Sequence, residues 1–144
     1  MPPLSTGAAV DTHAHVFQQG LALADTRRHT PDYDATLADY LALLDSHGLS
    51  HGVLVQPSFL GTDNRYMLDA LRAATGRLRG VAVVAPGIAD GALQALAEAG
   101  VAGIRLNLIG LPVPELAAAG WQALLARVNA LGWHVEVHIQ AARL

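Results

Sequence analysis

Residues 78–108 read LRGVAVVAPGIADGALQALAEAGVAGIRLNL. Val81, Ala82, Val83 and Val84 are apolar on both faces, as in a strand of a parallel sheet covered by helices on each side. Pro86 and Gly87 stop that run. Asp90 is placed to cap a helix over 91–99, whose Leu93, Leu96 and Ala97 form one stripe, and Gly100 closes it. A second apolar strand follows over 102–108. Strand, helix and strand in this succession demand parallel pairing through a right-handed crossover.

The same unit extends in both directions. Upstream, strands are expected over 8–16 and 51–56. Between them lie a polar, irregular segment over 17–33 and a helix over 34–47. In that helix Leu37, Tyr40, Leu41 and Leu44 keep the i, i+3, i+4, i+7 spacing, and Gly48 is suited to a left-handed stop. Asp63 is expected to cap a helix over 64–74 that carries Met67, Leu68 and Leu71. Downstream come a Pro-bearing loop over 110–120, a helix over 121–131 and a fifth strand over 133–139. The resulting βαβαβαβαβ order fits either an open doubly wound sheet or part of a (β/α)8 barrel. A barrel needs about 250 residues. The expectation is therefore an α/β fold in which residues 1–144 are one partial domain, the (βα)4β portion of a TIM barrel truncated after strand five, with a complete open sheet as the other choice.

Composition narrows the function classes. Of 144 residues, 52% are hydrophobic and 15% charged, which excludes a disordered chain. Net charge is −3, with nine Arg and no Lys, so no basic footprint for nucleic acid or an anionic membrane is present. The absence of Cys removes disulfides, thiol catalysis and Cys-ligated zinc. Met1–Ser5 shows no signal-peptide pattern and no apolar run spans a bilayer, so a cytoplasmic protein acting on a small molecule is expected.

The unusual polar residues fall at the carboxyl ends of strands, where α/β folds collect chemistry. Asp11, His13 and His15 alternate, which puts all three on one face of an extended strand. Two imidazoles so spaced converge on one metal ion or one substrate oxygen. Glu136, His138 and Gln140 share a face of strand five, where His138 is a third ligand or donor, or else a core histidine. Arg105 and Asn107 share a face of strand four. A core arginine needs a carboxylate from the protein or from a substrate. Ser58 stands at the mouth of strand two or on a surface loop. His134 reads as packing or surface, and His47 and His51 as bland. No Gly-rich phosphate loop or nucleophile elbow occurs.

The segments VDTHAHVF (10–17), GVLVQPS (52–58), GTDN (61–64), RGVAVV (79–84), GIRLN (103–107) and LGWHV (131–135) occur in the order in which they stand in the amidohydrolase superfamily. The chain resembles its amidohydrolase-related branch, the TIM-barrel lactonases and decarboxylases, over nearly its whole length. The resemblance implies a distorted barrel. It also implies a divalent ion, often zinc, on His13 and His15, joined by His138, in metal-dependent members. In the metal-free lactonases the same pair bonds the developing oxyanion. Positions matching Ser58 and Arg105 contact substrate carboxylate. His29 replaces a substrate-binding tyrosine before Thr30-Pro31, Leu111 replaces a second carboxylate-binding arginine, and His138 replaces the strand-five tyrosine. These changes argue against a dicarboxylate and toward metal ligation.

The function expected is hydrolysis of a small cyclic ester, amide or carboxylated compound by water attack on a metal- or His-polarised carbonyl. The catalytic and metal residues would be His13, His15 and His138, and the substrate residues Ser58, Arg105, Asn107 and His29. Alternatives are a metal-dependent decarboxylase of the same family and a truncated, non-catalytic fragment. A phosphoesterase superfamily that also begins with an H-x-H strand fits the later strands poorly. The family's sixth-strand His and eighth-strand Asp have no counterpart before Leu144. A half-barrel is accordingly expected to be inactive alone, marginally stable, and prone to homo-oligomerise or recruit a partner.

Overall fold

The computed structural model describes residues 8–144, so Met1–Ser5 lies outside the described residues. Five strands, β1 (Val10–Ala14), β2 (His51–Val55), β3 (Leu78–Ala82), β4 (Val101–Asn107) and β5 (His134–His138), form one sheet in the order β1-β2-β3-β4-β5. Every neighbouring pair is parallel. Four helices make the crossovers: α1 (Leu37–Ser46), α2 (Arg65–Ala73), α3 (Asp90–Glu98) and α4 (Ala119–Ala130). This is the half-barrel portion of a TIM barrel. Among the described residues no helix is long and apolar enough to cross a membrane.

The core lies between one face of the sheet and the helices. Leu54, Leu78, Ala82 and Ile104 from the strands pack against Leu44, Leu71, Leu93 and Leu124 from the helices. The apolar stripes named above supply these contacts. Where helices approach closely, strands carry glycine: a Cβ on Gly52 would stand 2.2 Å from the Tyr40 hydroxyl oxygen. Gly48 ends α1 at φ 65°, a conformation that disfavours any side chain.

Element ends differ from the sequence expectation where side chains compete for the backbone. α1 starts at Leu37 rather than Asp34, because Thr36 and Asp39 form a reciprocal capping box. Asp34 instead accepts from the Gln19 amide at 2.8 Å. β3 stops at Ala82 because the Asn64 side chain acts as a surrogate strand there, its Oδ1 accepting from Val83 N at 3.1 Å and its Nδ2 donating to Val83 O at 2.9 Å. Asp90 does not cap α3; it lies in the first turn. Its carboxylate reaches the Arg127 Nε at 2.8 Å and ties α3 to α4. Asn64 rather than Asp63 is the N-cap residue of α2, but Asp63 Oδ1 accepts from the Arg65 amide at 3.3 Å and the carboxylate pairs with the Arg65 side chain at 2.7 Å.

One difference bears on the site. The β1 register steps from Asp11 opposite Gly52 to Ala14 opposite Leu54, three residues against two. Such a bulge reverses side-chain parity. Asp11 therefore does not share a face with His13 and His15, as alternation predicts. It faces α1, where its Oδ2 accepts from the Tyr40 hydroxyl at 3.0 Å. Burial, reinforced by the carboxylate beside it, pushes the Tyr40 pKa up, so the phenol stays a donor.

Gly52→Ala should lower stability by about 1–3 kcal/mol, the usual effect of overpacking a filled core. A urea midpoint equal to that of the wild type would show that Tyr40 moves aside without penalty.

Candidate active site

The carboxyl ends of the strands bring together residues far apart in sequence. His13 and His15 stand edge to face with ring centroids 5.0 Å apart. His15 Nδ1 lies 2.7 Å from the carbonyl oxygen of Val55 at the end of β2. A carbonyl only accepts, so Nδ1 carries the proton and Nε2 bears the lone pair. Arg105 Nη1 lies 3.4 Å from His13 Nε2. A guanidinium only donates, so that nitrogen is also unprotonated.

Arg105 is 8% exposed. Glu136 is its register neighbour on β5, but the described ion pairs leave Arg105 out, and Glu136 faces His134 at 3.6 Å instead. Its Nε is buried without a hydrogen-bond partner, as are Asn107 Oδ1 and His138 Nδ1. Asn107 and His138 are register partners across β4 and β5. Three unpartnered polar atoms so close at one sheet edge is the condition in which a polar ligand contributes most, because leaving such groups unpaired costs about 1–3 kcal/mol each.

A cavity of about 430 Å³ opens beside them, lined by Ser58, Arg105 and Asn107. It is also lined by Arg27, Arg28 and Leu111, and by no Asp or Glu. Ser58 begins a short 3-10 turn, Ser58–Leu60, held by Gln56, whose Nε2 donates to the Gly61 and Asp63 carbonyls at 3.1 and 2.8 Å. His29 does not line the cavity; its ring packs against Phe59 at 5.8 Å. A larger hollow of about 570 Å³, with Leu78, Gly100 and Trp133 in its wall, lies at the opposite strand ends, away from the histidines. Arg27 and Arg28 were not singled out from sequence. The signal was the basic pair just before His29-Thr30-Pro31.

Residues 8–144 do not by themselves make a metal site. Among the described residues no three His, Cys, Asp or Glu side chains group as a ligand set. The pair His13–His15 lacks a carboxylate, and the Arg105 guanidinium caps the lone pair that His13 would offer. A cation there opposes a dication. Among the described residues His13, His15 and His138 are not grouped as three ligands.

Burial first, and neighbouring cations after it, favour the neutral forms of His15 and His138. Burial, with His13 and Arg105 pushing the same way, lowers the His15 pKa below the ordinary 6.5 in spite of the Val55 bond and Glu136. Burial, then Arg105, Arg28 and His13, lowers that of His138.

The sequence model of the amidohydrolase family matches residues 10–144. The 2-pyrone-4,6-dicarboxylate hydrolase of Comamonas testosteroni is 40% identical over 138 residues, covering 94% of this chain and 45% of that protein. The 4-sulfomuconolactone hydrolase of Hydrogenophaga intermedia is 34% identical over 141 residues, covering 96% and 45%. The crystal structure of a probable 2-pyrone-4,6-dicarboxylic acid hydrolase from Acinetobacter baumannii, with citric acid bound, superimposes with a TM-score of 0.89 at 45% identity, covering 92% of this chain and 49% of that one. The chain spans about half the length of the curated relatives it matches.

Because both pKa values are depressed relative to the unfolded chain, protonation favours unfolding. Stability should be full above pH 6.5 and fall as pH drops through the lowered His15 and His138 values. Urea midpoints at descending pH, with imidazole proton shifts followed by NMR, measure this. Midpoints flat down to pH 5, or imidazoles titrating above 6.5, would contradict it.

Proposed function

Because the chain belongs to the amidohydrolase family, we propose that it supplies the substrate-binding and water-activating part of a hydrolase that opens a small lactone bearing a carboxylate. The observation that carries this reading is Arg105, buried without an ion-pair partner, against His13 Nε2 at 3.4 Å, at the head of a cavity with no acidic side chain in its lining. A buried guanidinium of this kind recruits an anion, gripped by two parallel N–H donors. The names of two relatives, a pyrone dicarboxylate hydrolase and a sulfomuconolactone hydrolase, both describe anionic lactones. The citric acid in the Acinetobacter protein is consistent with carboxylate affinity.

In this scheme Arg105, with Asn107 and the Ser58 hydroxyl, holds the substrate carboxylate and turns the lactone carbonyl toward the histidines. His15, its Nδ1–H tied to the Val55 carbonyl, presents a neutral Nε2 that accepts a proton from water as the water oxygen adds to the carbonyl carbon. The ring C–O bond then breaks and the proton passes to the departing ring oxygen. His13 positions Arg105 through its Nε2. The reading assigns no step to a metal.

With a carboxylated lactone as substrate, His15→Ala should lower kcat by about 10²–10⁴. Arg105→Met should act mainly on KM, raising it by about tenfold to a hundredfold, as expected for a lost charged hydrogen bond. Chromatography of the product distinguishes a ring-opened acid from one that has lost carbon dioxide. The second outcome would replace lactone hydrolysis by decarboxylation. Elemental analysis of protein prepared without chelator should give metal below stoichiometry and equal for wild type and His13→Ala. Stoichiometric metal lost in that variant would return His13 to the role of a ligand.

A further inference from the structure

We propose that Asp11 and Tyr40 form a clamp on the outer side of the sheet that fixes the bulge of β1 and so sets His13 against Arg105. Both are positioning residues. Neither side chain lies on the face that carries the histidines, and each acts on the site through the backbone of His13.

His13 and His15 are held by different means. His15 Nδ1 lies 2.7 Å from the Val55 carbonyl oxygen. The pairing of β1 with β2 has resumed at Ala14, and Val16 beyond it is buried in the core. His13 lies between Asp11 and Ala14, where the register slips, so the ladder does not fix it. What its backbone meets there is Asp11. The carboxylate uses both of its oxygens. Oδ2 accepts from the Tyr40 hydroxyl at 3.0 Å, and Oδ1 lies 3.4 Å from the His13 amide, a long contact that persists only while the carboxylate is held.

Tyr40 does that holding. It is 6% exposed and stands on α1, whose start is set by the Thr36–Asp39 capping box. Its hydroxyl reaches β1 over Gly52, the register partner of Asp11, where a Cβ would stand 2.2 Å from the hydroxyl oxygen. The missing side chain is the passage through which helix and bulge are joined. The consequence falls on Arg105. His13 Nε2 accepts from its guanidinium at 3.4 Å, so a shift of the bulge by about half an ångström carries the imidazole out of hydrogen-bond range. His15, anchored beyond the bulge, does not follow. The clamp is independent of what the cavity takes, whereas its effect on binding rests on the carboxylate reading of the same site.

The test reads both imidazoles by nitrogen NMR at mildly alkaline pH in the wild-type chain, Asp11→Asn and Tyr40→Phe, with urea midpoints to show that each is folded. Asparagine offers one acceptor oxygen in place of two, and phenylalanine removes only the hydroxyl. In the wild type, His13 should show a neutral ring with its proton on Nδ1, because Arg105 donates to Nε2. Asp11→Asn should turn this into a mixture of tautomers, and Tyr40→Phe should move it the same way. The double variant should go no further than Asp11→Asn alone, as for two parts of one unit. His15 should keep its Nδ1–H form throughout. Benzoate affinity, measured by calorimetry, should weaken about threefold to tenfold in Asp11→Asn, the effect of one lost hydrogen bond. Should Asp11→Asn not fold, Tyr40→Phe decides alone. Unchanged His13 signals in a folded variant, whatever its midpoint, would reduce the pair to a tie between helix and sheet and overturn the proposal, as would equal disturbance of both histidines. Altered His13 signals with no benzoate binding to the wild type would keep the clamp and remove the carboxylate reading. Unchanged His13 signals in a chain that binds benzoate and opens a carboxylated lactone would do the reverse.

Discussion

A guanidinium withdrawn from water on a core strand, without an ion pair of its own and with Glu136 offsetting its charge only at a distance, is the constraint around which this half-barrel is arranged. Burying an unpaired charge is expensive. Arg105 meets it partly by donating to His13, which requires β1 to present His13 on the inner face. The bulge in β1 achieves this while sending Asp11 to the helix side.

Two buried amides shape the rim. Gln56 and Asn64 satisfy backbone groups where β2 and β3 end and so replace ladder hydrogen bonds that continued strands would have made. Their role is to let the chain leave the sheet early without orphaned backbone groups. The Ser58–Leu60 turn follows from this, and so does the aromatic contact of Phe59 with Phe17 that pins the β1–α1 loop over the cavity. Rim and cavity wall are thus one packed unit.

The cations near the strand ends also act on His15 and His138. Burial lowers their pKa values most, and Arg105 adds to the lowering at both. A neutral imidazole with a fixed tautomer is a proton acceptor, and His15 has its tautomer fixed by the Val55 carbonyl.

The sequence by itself determined the alternation of strands and helices, because period-two and period-3.6 apolar patterns describe which faces must be buried whatever the partner. It also placed His13, His15, Ser58, Arg105 and Asn107 at strand ends, since position along a parallel strand is countable from its first residue. Side-chain amides and carboxylates decided the ends of β3 and α1, and nothing local distinguishes Asn64 as a strand surrogate from Asn64 as a cap. The face of Asp11 depended on an extra residue in the pairing between β1 and β2, which exists only once both strands are side by side. Whether Arg27 was braced by Thr30 and the Ala24 carbonyl depended on a loop path set by Phe17 and Phe59 from two separate segments. Those two outcomes belong to the tertiary structure because each is a relation between residues that periodicity leaves independent.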